Sequence, residues 1–206
     1  MWHLNCDAVY FIRMSFILSN LKNTILCSFL LAFLFIYTLT IGDFDKTAFF
    51  MWILRWFHVI SAVMWVGILY YFNFVQIPNM EKIPDDQKPA INKVIAPAAL
   101  FWFRWGSVAT VLTGLKLAYL SGYLHQAMTF SDDFWGIGLG MWLGIIMFIN
   151  VWVVIWPNQK KALGIVKVDN KTKAKSARTA MLFSRTNTIL SIPMLVGMTV
   201  AQNSFT

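Results

Sequence analysis

The chain has 206 residues, 58% of them hydrophobic and only 13% charged, with a net charge of +8. Soluble domains carry about 25% charge, so a water-soluble globule of this length would leave much of its apolar surface wet, and that class is excluded. The positive excess lies in the connections between apolar runs, which points to a lipid bilayer and away from nucleic acid.

A bilayer core of about 30 Å requires about 20 mostly apolar helical residues. Segments 24–41, 48–77, 94–120, 134–156 and 180–202 meet this requirement. The expected fold is all-α, a polytopic transmembrane bundle of four or five helices. Residues 1–47 form an N-terminal segment with a first helix, and residues 48–206 form a four-helix membrane domain.

The first run, preceded by Arg13 and Lys22, has some character of a signal peptide with weak cleavage options after Thr40. Its length favours a retained helix. Leu26 ahead of Cys27 is too large for a lipoprotein cleavage site. The two cysteines, Cys6 and Cys27, fall in no Cys-x-x-Cys-His pattern, so a covalent c-type haem is not expected.

In the second run, Arg55, His58, Ala62, Trp65, Leu69, Asn73 and Gln76 share a stripe narrower than a quarter-turn at 100° per residue. Polar groups are costly in hydrocarbon, so this stripe is expected to face protein. In the third run Trp102, Trp105, Thr113 and Lys116 share a face, and Arg104 points elsewhere, near the inner interface, where it can snorkel.

The fourth run carries Gly136, Gly140 and Gly144, a small-residue ridge that permits close helix approach within the bundle or between protomers of an oligomer. Asn150 lies at its edge as an interior polar residue, and Trp152, Trp156 and Pro157 mark an interfacial belt and a helix stop. The fifth run gathers Ser184, Asn187, Thr188, Ser191, Met194, Met198 and Gln202 on one side, with Arg185 beside them and Pro193 opposite. A kink is expected at Pro193. The two polar stripes are expected to face each other, with His58 within reach of the fifth helix near Met198 and Gln202.

Connection 157–179 holds Lys160, Lys161, Lys167, Lys171, Lys173, Lys175 and Arg178 against the single acid Asp169. By the positive-inside rule this loop is cytoplasmic, placing the N-terminus inside and, with five spans, the C-terminus outside a bacterial inner membrane. It serves as a topology determinant, with anionic lipid or a partner as further readings.

Four strings resemble the membrane domain of the bacterial cytochrome c-linked urate oxidases, also called urate hydroxylases. They are RWFHVISAVMWVGILYYFNFVQIP at 55–78, FWFRWG at 101–106, NVWVVIWPNQKK at 150–161 and SRTNTILSIPML at 184–195. The last two are the most specific. The resemblance implies a membrane protein tied to oxidation of a small molecule, with electrons passed to a c-type cytochrome or another carrier. If the chain is itself an enzyme, it implies a membrane oxidoreductase of the urate hydroxylase type.

His58 is the histidine inside a confident span, and a transmembrane histidine near Trp-x-Gly is a candidate haem b ligand. His3 and His125 lie outside the spans, so Met194, Met198 or a second protomer's His58 would have to complete the axial pair; hydrogen bonding within the bundle is the plainer role. Met194 and Met198 at i, i+4 are packing material before they are a copper site. No catalytic set emerges, because all acids lie outside the confident spans; that also disfavours a proton-coupled carrier. Two function classes remain: a membrane component of an oxidoreductase or electron-transfer system, and a non-enzymatic subunit, scaffold or small-molecule permease.

Overall fold

The computed structural model describes residues 16–42 and 45–200. Six helices are labelled in chain order: α1 (Leu21–Leu39), α2 (Lys46–Lys82), α3 (Lys88–Leu120), α4 (Leu124–Met128), α5 (Trp135–Ala162) and α6 (Asn170–Val200). No strand occurs among the described residues. The chain divides into two units, Met1–Phe49 and Phe50–Thr206.

The first unit contains α1. The Asn20 side chain accepts from the Lys22 amide at 3.0 Å and so caps its start. Cys27 on this helix is a free thiol. His3, Cys6 and Arg13 lie outside the described residues.

Four helices, α1, α2, α3 and α5, are long and apolar enough to cross a membrane. The fold is thus the expected helical membrane bundle. α6 is long enough at 31 residues, but its lysines, arginines and amides keep it outside that apolar class. It starts at Asn170 rather than near residue 180. Lys171, Lys173, Lys175 and Arg178 therefore belong to the first turns of a helix instead of a loop, and the true connection shrinks to 163–169.

The other connection at that end shortens similarly, to 83–87, because α2 runs on to Lys82 and α3 begins at Lys88. Within it Lys88 Nζ pairs with Asp85 at 2.6 Å.

The core of the second unit lies where α2, α3, α5 and α6 meet. Trp65, Leu69, Phe103, Met147 and Val151 are buried there, and Phe72 meets Phe103 edge to face at 6.1 Å. The Gly136 ridge faces α6: a Cβ on Gly140 would lie 2.9 Å from the carbonyl carbon of Gly197, and one on Gly136 would lie 2.6 Å from a Val200 methyl. Of the two settings open to this ridge, it occupies the one inside the bundle. Gly138 is equally confined, against the carbonyl of Ala127 on α4.

Three helices widen into π turns, at Tyr71–Gln76, Ile91–Ile95 and Asn150–Ile155. Each stands just before a proline: Pro78, Pro97 and Pro157. A proline ring collides with the carbonyl four residues earlier and offers no N–H to it; here those residues are Phe74, Lys93 and Val153, each inside a π turn. The wider i→i−5 turn accommodates the proline without ending the helix. Pro193, by contrast, sits on an exposed face within a helix that stays α-helical throughout.

Candidate functional site

Each π turn carries an asparagine: Asn73, Asn92 and Asn150. Two of them build a hydrogen-bonded seam with α6. Asn73 Nδ2 donates to the Leu69 carbonyl at 2.9 Å and to Ser184 Oγ at 2.8 Å. Asn150 Nδ2 donates to Asn187 Oδ1 at 2.8 Å and to the Phe183 carbonyl at 3.2 Å, while Asn187 Nδ2 donates to the Met147 carbonyl at 3.0 Å. A third link joins Tyr70 Oη and Ser191 Oγ at 3.0 Å. Because Ser191 spends its one hydrogen on the Thr188 carbonyl at 2.8 Å, Tyr70 is the donor.

The seam borders a cavity of about 270 Å³ at the end of the unit where connections 83–87 and 163–169 lie. α2, α3, α5 and α6 all line it. Its polar lining is Gln76, Asn92, Gln159 and Ser184, among apolar neighbours such as Phe72 and Phe103. No charged side chain lines it. Gln76 Oε1, on this wall, and Asn73 Oδ1, in the seam beside it, are buried acceptors with no hydrogen-bond partner among the described residues. Such a lining can hydrogen-bond a small polar molecule.

The expected polar interior is thus brought together only in part. Trp65, Asn73, Asn150 and Asn187 are buried, and Gln76 is half-buried. Arg55 and Arg185 are exposed, correcting their placement in the interior; their long side chains carry the guanidinium out to the surface. Arg55 lies close enough to Tyr123 to favour its phenolate, although burial is the larger effect and pushes that phenol up. Gln202 lies outside the described residues. Trp65 Nε1 is a buried donor without a partner in the protein.

His58 also needs a correction, because its partner is α3 and not α6. Its Nδ1 lies 2.8 Å from the Thr110 carbonyl oxygen, with Thr113 Oγ1 at 3.4 Å. A carbonyl only accepts, so Nδ1 carries a hydrogen, and in the neutral ring Nε2 is then the acceptor. Gly114 makes room for the ring: a Cβ there would fall 2.7 Å from Cε1. Met198 instead packs toward Gly144 of α5. No cluster of three or more His, Cys, Asp or Glu occurs among the described residues. The Nδ1 side of the His58 ring is occupied by α3.

Sequence reasoning missed Asn92 and Gln159 as wall residues. Their neighbours Lys93 and Lys160 made both positions read as connection, whereas the helices extend past them.

Outside the cavity, Arg104 lays its guanidinium over the Trp156 ring at 3.3 Å and stands 6.0 Å from that of Trp152. Its Nε donates to the Leu100 carbonyl at 3.0 Å. Trp152 Nε1 in turn donates to Ser107 Oγ at 3.3 Å. Lys160 Nζ stands 5.6 Å from the same Trp156 ring.

Helices able to cross a membrane, held together by a buried amide seam, define a multi-pass helical membrane protein. Within that class, residues 128–206, which contain α5 and α6, match the family model described as urate oxidase N-terminal. No curated protein and no solved structure matches the chain.

Proposed function

We propose that the protein is an integral membrane component of an oxidoreductase or electron-transfer system, serving oxidation of a small molecule whose electrons pass to a c-type cytochrome or a similar carrier. The urate oxidase N-terminal match over residues 128–206 carries this reading. The cavity supports it with a compartment whose lining offers hydrogen-bonding groups on Gln76, Asn92, Gln159 and Ser184 to a small polar molecule. The bundle lies in a bacterial inner membrane, with the lysine-rich start of α6 in the cytoplasm.

A second reading, a small-molecule permease, draws on the same cavity, which four helices line without a charged side chain. Electron transfer separates the two. Membranes containing the full chain should reduce added cytochrome c when supplied with urate, and Gln159→Leu should weaken that response. Urate-dependent reduction no faster than in membranes lacking the chain would overturn the oxidoreductase reading. Saturable uptake of the molecule into vesicles without reduction would establish the permease.

A further inference from the structure

Arg104 is a cation on a helix able to cross a membrane, and no carboxylate pairs with it among the described residues. Among the described residues the one ion pair is Lys88 with Asp85, in connection 83–87 and its border. A guanidinium has five N–H donors, and among the described residues only Nε has a hydrogen-bond acceptor, the Leu100 carbonyl. Indole faces offset part of the charge, about 0.5–2 kcal/mol per contact. They accept none of the remaining hydrogens.

The surroundings show what kind of group would accept them. Trp152, Trp156 and Lys160 follow one another at i, i+4, i+8 on α5, so they form one row along the helix. Arg104 of α3 lies over Trp156, and Lys160 adds a second cation at the same ring, next to the polar end of α5. All four side chains are partly exposed. Trp105, 52% exposed, meets Trp152 at 5.9 Å and extends the aromatic wall away from Lys160. The groove is thus cationic at its polar end and apolar beyond.

We infer that this groove between α3 and α5 binds an anionic glycerophospholipid, its phosphate held by Arg104 and Lys160 and its acyl chain lying along Trp152 and Trp105. A phosphate oxygen pair matches the fork of a guanidinium. Basic pockets between membrane helices bind such headgroups. A neutral, zwitterionic lipid would bring its own cation to a site that already has two.

The test uses the full chain, purified in detergent and delipidated, with lipid binding read by native mass spectrometry and by the thermal unfolding midpoint. Phosphatidylglycerol should bind and raise the midpoint, whereas phosphatidylcholine and inorganic phosphate should not. Combined R104Q and K160Q should weaken phosphatidylglycerol binding at least about tenfold, the scale of one lost charged hydrogen bond. Combined K171Q and K173Q, which removes the same charge from the exposed start of α6, should leave it unchanged. K160Q alone, outside the core, should weaken binding by a smaller factor and serves if the double variant does not fold. Equal binding by K160Q and the unaltered protein, or equal occupancy by phosphatidylcholine, would overturn the inference. A midpoint rise with inorganic phosphate equal to that with phosphatidylglycerol would assign the site to free phosphate and overturn the lipid.

Discussion

Gly140 of α5 and Gly197 of α6 meet backbone to backbone, each leaving less than 3 Å for a Cβ on the other: 2.9 Å from Gly140 to the Gly197 carbonyl carbon, and 2.7 Å from Gly197 to the Gly140 nitrogen. Neither neighbour is a flexible side-chain tip that can swing aside. Gly140→Ala and Gly197→Ala should each therefore destabilise the protein by about 1–3 kcal/mol, the range for overpacking. Gly67→Ala, where the new methyl meets nothing within 4 Å, should be neutral or mildly stabilising. Thermal unfolding in detergent distinguishes them; equal midpoints for Gly140→Ala and Gly67→Ala would remove the tight contact.

Asn187 is fully buried and joins α6 to α5 through two hydrogen bonds. Asn187→Leu keeps the branching of the side chain and removes both, taking from the Met147 carbonyl its side-chain donor and from Asn150 Nδ2 its Asn187 acceptor, and should cost about 1–3 kcal/mol. The double variant Asn150→Leu/Asn187→Leu should cost less than the sum of the singles, because the two share a bond. Strict additivity would show that the amides act independently.

Gln76 makes the opposite prediction. Its buried Oε1 has no partner in the protein, so Gln76→Leu removes an unmet acceptor and should change stability by less than about 1 kcal/mol. Under the proposed function it should nonetheless reduce urate-dependent cytochrome c reduction. A large loss of stability with unaltered activity would place Gln76 in the packing and not in the site.

Asp169 precedes α6 and accepts from the Thr172 hydroxyl at 2.6 Å and the Thr172 amide at 2.9 Å. The Thr172 hydroxyl, and after it the Thr172 amide, holds this carboxyl below its ordinary value near 3.8. A depressed folded value means the capped start of α6 is at full strength above the unfolded value and weakens as pH falls through the lower, folded one. Carboxyl NMR should show Asp169 titrating below an exposed aspartate, and Thr172→Ala should move it upward. An unshifted titration in the unaltered protein would deny the cap.

Much of this architecture can be read from residue order, for a physical reason. Apolar runs of bilayer length have no other stable home, and the Gly136–Gly140–Gly144 spacing and Asn150 and Asn187 report inward faces through side-chain type alone. His58 was legible as a polar helix residue but not in its pairing, because its acceptor is the backbone carbonyl of Thr110 and its space comes from the missing side chain of Gly114. Arg55 and Arg185 sit on suitable phases, yet their length takes the charge elsewhere. The cavity wall at Asn92 and Gln159 was hidden by neighbouring lysines, which suggested connections where the helices continue.

The three π turns share an end of the second unit, the one that holds the cavity, while the Gly140–Gly197 contact lies toward the other. A wide turn replaces the regular i→i−4 ladder locally and leaves room for a proline ring, whereas backbones in direct contact leave no room even for a methyl group. The bundle thus answers two opposite steric problems at its two ends, one by widening a helix and the other by omitting side chains, and the walls of the cavity belong to the widened end.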